Sequence, residues 1–278
     1  MTERERTTMV PFPSDAIIPE RDLGTRPVLD ARHLGVEFGG LKAVDDFNMI
    51  IGRTEIAGLI GPNGAGKTTI FNLITKVYQP TTGTILIDGK DTAGMNTIQV
   101  NKAGIARTFQ NIRLFKDISV IDNVKIAMDQ SIHYNMMESI LRLPRYWKEE
   151  AEVDQRAHEL LKVVGLDDLA QSKARNLPYG QQRKLEIARA LATKPKLLLL
   201  DEPAAGMNPT ETHELMTTIR DIRSRFNISV LLIEHDMGFV MGICDRLYVL
   251  DYGVIIAEGL PEEIRTNQRV ITAYLGGE

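Results

Sequence analysis

Residues 61–69 read Gly-Pro-Asn-Gly-Ala-Gly-Lys-Thr-Thr and fit the pattern G-x-x-x-x-G-K-[ST]. A turn built from Gly61, Pro62, Asn63, Gly64, Ala65 and Gly66 can direct successive backbone N–H groups at phosphate oxygens, because glycine tolerates the conformations this needs. Lys67 brings a point charge to the β and γ phosphates, and the Thr68 hydroxyl is a ligand for Mg²⁺. Thr69 carries the chain into a helix whose positive end faces the anion. A second group of candidates sits at Asp201-Glu202, directly after four leucines. Asp201 can hold Mg²⁺, directly or through water, and Glu202, aimed differently, can polarise a water for attack on the γ-phosphate. His235 follows another apolar run and can reach that phosphate or the attacking water. The Gln110 amide can ligate Mg²⁺ or hold the water.

These side chains need strands to carry them. Residues 54–60 read as a buried strand entering the phosphate turn. Residues 196–201 and 228–233 read as two more strands buried on both faces. Carboxylates at their C-terminal ends stand where open α/β sheets bind ligands. Runs at 28–38, 45–51 and 54–60, separated by Gly39-Gly40 and Gly52-Arg53, predict an antiparallel β section leading into the phosphate turn. Further strands are expected at 84–88, 104–107, 246–250 and 254–257. Helical spacing covers 97–102, 120–129, 151–164, 179–193 and the region after Asn208, with shorter patterns at 262–265 and 269–275. Asn208-Pro209-Thr210-Glu211 has the order of a helix start, with Asn as N-cap, Pro at N1 and Glu at N3. Met136, Met137, Tyr146 and Trp147, within 131–150, are read as core residues, with a partner surface as the alternative. Residues 1–27, polar and with four prolines, read as a flexible extension.

Length and composition set bounds. The chain has 278 residues, long enough for one large domain or a domain with a subdomain. With 33 Lys and Arg against 37 Asp and Glu, the net charge of −4 argues against a nucleic-acid binder's broad phosphate footprint. The single cysteine, Cys244, allows no internal disulfide and fits a reducing compartment. No stretch approaches the ~18 consecutive apolar residues of a membrane span, so action at a membrane requires an integral partner.

Taken together, the motifs resemble the ATP-binding subunits of ABC transporters over residues 28–276. Residues 61–69 and Asp201-Glu202 match Walker A and Walker B, Gln110 the Q-loop and His235 the switch histidine. Leu177-Pro178-Tyr179-Gly180-Gln181-Gln182 lies where the signature sequence lies, and Phe38 matches the aromatic that stacks on adenine. The stretches 106–115, 179–190 and 201–209 look like the branched-chain amino-acid uptake system, and 232–237 and 273–276 look like its G-type ATPase rather than the F-type paralogue. Two positions depart from the wider family. Pro178 stands where a signature serine donates to the opposite subunit's γ-phosphate, and proline offers neither hydroxyl nor N–H. Asn208 stands in place of the usual aspartate.

The resemblance implies an α/β P-loop NTPase fold: a mainly parallel sheet flanked by helices, an antiparallel β section, and a helical subdomain at about 111–193 within a cassette at 28–278. It implies ATP and Mg²⁺ as cofactors. Catalysis would rest on Glu202, His235, Lys67 and Gln110, metal binding on Thr68, Gln110 and Asp201, and nucleotide binding on Phe38, residues 61–69 and, across a dimer, Tyr179, Gly180 and Gln181. The implied partners are a paralogous ATPase or a second copy, two integral permease subunits and, indirectly, a substrate-binding protein, at the cytoplasmic face of the membrane. Cargo does not touch these residues. An ABC ATPase for lipid or polysaccharide export, and a non-hydrolysing ATP-dependent binding module, are the alternatives.

Overall fold

The computed structural model of the chain describes residues 26–128 and 143–275. Strands β1 (Leu29–Phe38) and β2 (Leu41–Ile51) form a hairpin across Gly39-Gly40, and β4 (Thr82–Ile87) pairs antiparallel on the other side of β1. With β5 (Lys90–Asp91) they make a four-stranded sheet in the order β2-β1-β4-β5. The second sheet has the order β10-β9-β3-β8-β7-β6. Its strands are β3 (Ile56–Ile60), β6 (Ile105–Arg107), β7 (Leu197–Asp201), β8 (Ser229–Ile233), β9 (Arg246–Asp251) and β10 (Val254–Gly259). All pairings are parallel except β10 on β9.

The helices follow as α1 (Lys67–Ile74), α2 (Thr97–Ala103), α3 (Val120–Ala127), α4 (Pro144–Val163), α5 (Tyr179–Ala192), α6 (Pro209–Phe226), α7 (Met237–Ile243), α8 (Pro261–Thr266) and α9 (Gln268–Leu275). Every residue of β3, β7 and β8 is buried, as strands covered on both faces require. Side chains alternate between two cores. Ile56, Ile60, Leu198, Leu200, Val230 and Leu232 join one that includes residues of α3–α6. Leu59, Leu197, Leu199, Leu231 and Ile233 join another, shared with α1 and the antiparallel sheet. Each fully buried leucine or isoleucine contributes roughly 1.5–3 kcal/mol, so the inner strands are held rigidly from both sides.

The structure differs from the sequence-based expectation in several places. Strand β3 lies between β9 and β8 in the parallel sheet, not in the antiparallel section, because its five apolar residues need cover on both faces. It begins at Ile56, since Thr54 adopts a left-handed φ of 55° in the preceding turn. Strand β4 ends at Ile87, with Asp88 at φ 51° turning the chain. Strand β2 starts at Leu41, four residues earlier than expected, because Leu41 pairs with Phe38 to close the hairpin. Helix α4 starts at Pro144 and carries Tyr146 and Trp147 on it. Trp147 is 56% exposed, which overturns its assignment to the core; the two rings instead pack edge to face, centroids 5.3 Å apart. Met136 and Met137 lie outside the described residues.

Candidate active site

Strand β3 ends directly in the glycine-rich turn. Gly61 has φ 153°, and a Cβ there would come within 2.0 Å of the Leu250 carbonyl oxygen, so only glycine lets the turn pass over the end of β9. Gly66, at φ 103°, caps the start of α1. The outside of the turn is tied down where Gly253 N–H donates to Ala65 O at 2.9 Å. Lys67 is buried, and its ammonium donates to the carbonyls of Gly61 (2.7 Å) and Pro62 (2.8 Å). Burial pushes its pKa down, while the charge of Glu202 opposes that. A buried cation whose hydrogen bonds go to neutral carbonyls, with the Glu202 charge near but not bonded to it, has strong capacity for an anion. Thr68 and Thr69 occupy the first turn of α1 beside it.

The acidic pair diverges, as the reading of its two roles requires. Asp201 is the last residue of β7 and is buried; its Oδ2 accepts from Arg107 Nη2 at 2.7 Å. Arg107 also donates to Asn72 Oδ1 of α1 at 2.7 Å and lies about 5 Å from the rings of Phe71 and Phe109. Glu202 takes the left-handed region at φ 47°, an uncommon conformation for its type that turns the carboxylate to a different face. There Gln110 Nε2 donates to Oε2 at 2.7 Å, and His235 Nε2 lies 3.0 Å from Oε1. Strand β8 fixes this register, since Glu202 N–H donates to Ile233 O at 2.9 Å. Gln110 and His235, 92 and 33 positions away from Glu202, thus meet at its carboxylate.

Tyr179, Gly180 and Gln181 stand in the first turn of α5, whose N-cap is Pro178, with no side-chain cap. Their surroundings are other elements. A Cβ on Gly180 would meet Glu211 Oε1 at 3.1 Å, and one on Gly206 would meet the Tyr179 ring at 3.4 Å. Arg183, buried one turn on, donates to Phe109 O at 2.6 Å, to Gln110 O and to Tyr179 Oη at 3.0 Å. Asn208 caps α6 with the expected reciprocal pair: its Oδ1 accepts from Glu211 N–H, and Glu211 Oε2 accepts from Asn208 N–H, both at 3.0 Å. Phe38 is exposed at the end of β1 and meets Tyr78 edge to face at 5.1 Å.

The residue set fits a nucleotide with Mg²⁺. Among the described residues, no three His, Cys, Asp or Glu gather into a metal cage. Mg²⁺ keeps several waters and takes phosphate oxygens beside one or two protein ligands, so a hydroxyl, an amide and one carboxylate are a suitable donor set. The sequence reading missed Arg107, Asn72, Tyr78 and Glu234, each of which adjoins a predicted site residue. Only Glu234, an acidic residue closing an apolar strand next to His235, carried a local signal.

A phosphate-binding turn opening a helix, with divergent carboxylates at the end of an inner parallel strand, defines a P-loop ATPase. A family profile described as ABC transporter matches residues 44–205, and one described as branched-chain amino acid ATP-binding cassette transporter matches 254–278. The chain is 46% identical over 252 residues to the high-affinity branched-chain amino acid transport ATP-binding protein LivG of Escherichia coli, covering 91% of this chain and 99% of that one. It is 44% identical, with the same coverage, to the corresponding protein BraF of Pseudomonas aeruginosa. The fold is similar to the crystal structure of the ADP conformation of MJ1267, an ATP-binding cassette of an ABC transporter, with a TM-score of 0.78 and 30% identity over 90% of this chain and 99% of that one. The chain belongs to the ABC transporter family, as an ATP-binding subunit of the LivG type.

Proposed function

We propose that this ATPase energises import of branched-chain amino acids through partner permease subunits. Glu202 polarises the attacking water. Gln110 and His235 orient it and its carboxylate, and Lys67 and the N–H groups of 61–69 hold the phosphates. Thr68, Asp201 and Gln110 hold Mg²⁺, which when bound would neutralise phosphate charge. Phe38, with Tyr78 behind it, offers a platform for adenine. Tyr179, Gly180 and Gln181 serve the nucleotide of a second cassette, paralogue or copy; with Pro178 lacking a hydroxyl, the α5 N-terminus carries that contact. The organisation we infer is an extension at 1–27 and a cassette at 28–278 with a helical subdomain at about 111–193. Among the described residues no helix is long and apolar enough to cross a membrane; we place the chain peripherally at the cytoplasmic face, held by its permeases.

The meeting of Gln110 and His235 on Glu202 supports the hydrolytic role, and the near full-length similarity to LivG and BraF supports the cargo. Affinity purification from membranes, followed by phosphate-release assays on the recovered assembly, tests both. Recovery of two permease subunits and a second cassette, with uptake of leucine, isoleucine or valine, is the expected result. Recovery with lipid- or polysaccharide-export subunits overturns the cargo, and ATP binding without phosphate release overturns hydrolysis.

A further inference from the structure

Glu234, between β8 and His235, is buried at 4% exposure with its carboxylate directed into the protein. Its Oε1 accepts from Ala204 N–H at 2.7 Å, and its Oε2 accepts from His235 N–H at 3.1 Å. The Asp236 N–H also lies against it. Ala204 belongs to the connection from Glu202 to α6, a segment closed on itself where Ala205 N–H donates to Glu202 O at 3.3 Å and Met207 N–H donates to Ala204 O at 3.1 Å. The neighbouring Asp236 is committed elsewhere, capping α7 at Phe239 N–H. One buried carboxylate therefore bridges the loop after Glu202 and the backbone of His235, the two residues that face each other at 3.0 Å.

Burial raises the Glu234 pKa, and the charge of Glu202 adds to the cost of ionising it; the backbone N–H groups work against that rise. Such a group is expensive to hold unless its acceptors are used. Two apolar strands of adjacent register would align without it, since Glu202 N–H already pairs with Ile233 O. What Glu234 adds lies beyond the sheet: it fixes the loop at 203–207 against the histidine.

We propose that Glu234 is a positioning residue for ATP hydrolysis, clamping the loop at 203–207 to His235 so that His235 and Glu202 keep their mutual distance. It touches no nucleotide-binding residue of the phosphate turn, so its effect falls on turnover and not on ATP binding. The inference rests on the hydrolytic reading of Glu202 and His235. It also makes the loop leading to Asn208 mechanically continuous with the histidine, so displacement of one moves the other.

The test is Glu234→Gln in the full chain within its co-purified assembly. The amide keeps one acceptor, and its NH₂ opposes the second N–H, so one arm of the clamp is lost. The expected result is a kcat lower by about tenfold, the scale of one unpaired buried N–H, with the KM for ATP within about twofold. On the purified full chain, the His235 ring signals, assigned with His235→Ala, should shift while those of His158 stay in place. A kcat close to wild type, an equal change in KM, or unmoved His235 signals overturns the proposal. If Glu234→Gln does not fold, Glu234→Asp, which keeps both acceptors on a shorter arm, is read by the same criteria. Unchanged turnover in Glu202→Gln would remove the hydrolytic reading itself; an inert Glu234→Gln beside an inactive Glu202→Gln removes only the clamp.

Discussion

The two ends of the parallel sheet are built on opposite electrostatic plans. At the N-terminal ends of the strands, charge is closed. Arg246 is buried between Glu55 at 3.7 Å and Glu258 at 3.1 Å. Arg223 meets Asp245 at 3.0 Å, and Asp245 accepts the Ile56 N–H at 2.8 Å. Asp88 is gripped by both Lys196 and Arg53. At the C-terminal ends, beside the closed Arg107–Asp201 pair, charge is left with capacity at Lys67 and Glu202. Lys67 donates to two carbonyls with no carboxylate bonded to it, and Glu202 has an amide and an imidazole. Left-handed backbone does not separate the ends, since it occurs at Gly61, Gly66 and Glu202 here and at Thr54, Lys194 and Asn227 at the other. The same rigid strands thus support one end whose charges are ion-paired and one that is able to bind, in line with the rule that open α/β sheets bind at their carboxyl ends.

The contrast can be broken most severely at the open end. Glu202→Gln should retain ATP binding and lose turnover by about 10²–10⁴, the worth of a positioned base; phosphate release measured beside nucleotide binding checks it. At the closed end, Arg246→Met leaves Glu55 and Glu258 without their cation, a loss of roughly 3–5 kcal/mol for a broken buried pair. Urea unfolding should show that loss, while kcat per folded molecule stays at the wild-type value. Arg107→Met removes the partner of buried Asp201 and should cost a similar roughly 3–5 kcal/mol, but here turnover falls as well. A stability loss without a turnover loss would place Arg107 with the closed end.

Smaller effects sharpen the comparison. Asn208→Ala should cost about 1 kcal/mol through the lost cap of α6, read as a lower urea midpoint. The acid response should differ in sign between the ends. The Lys196 and Arg53 contacts hold the Asp88 carboxyl below its usual range. Its stabilisation is therefore present above the unfolded value of about 3.9 and is lost as pH falls through the lower native one. Burial instead raises Glu186 and Glu234; the native state then binds their protons more tightly, and stability declines as pH rises from the unfolded value through the native one. Asp88→Asn should flatten the acid limb slightly, less at high salt because the site is exposed. Urea midpoints taken from about pH 6 down through the unfolded value of about 3.9 follow that limb.

Legibility followed the range of the interactions. Residues 61–69, the all-leucine strand and the Asn208–Glu211 cap are local, and each was readable because backbone needs and side-chain types coincide within a few positions. The burial of β7 and β8 on both faces followed from apolar runs that lack alternation, whereas β3, with the same pattern, reads as part of the antiparallel section because its neighbours in sequence lie there. Arg107 could not be found this way, since its partners are 35 and 94 positions distant. Neither could the joining of Gln110 to Glu202 across 92 positions. The exposed Trp147 misled because aromatic content is a statistical guide to burial, whereas its side is set by how α4 packs through Val153, Ala157, Leu160 and Leu161.

Arg183 holds the carbonyls of Phe109 and Gln110 from within the first turns of α5. The start of that helix and the Gln110 backbone therefore travel as one piece. Tilting α5 outward would drag the amide away from Glu202 and leave that carboxylate facing the histidine alone. A push on α5 would in this way pass, through a single guanidinium, into a change in which groups share the Glu202 carboxylate.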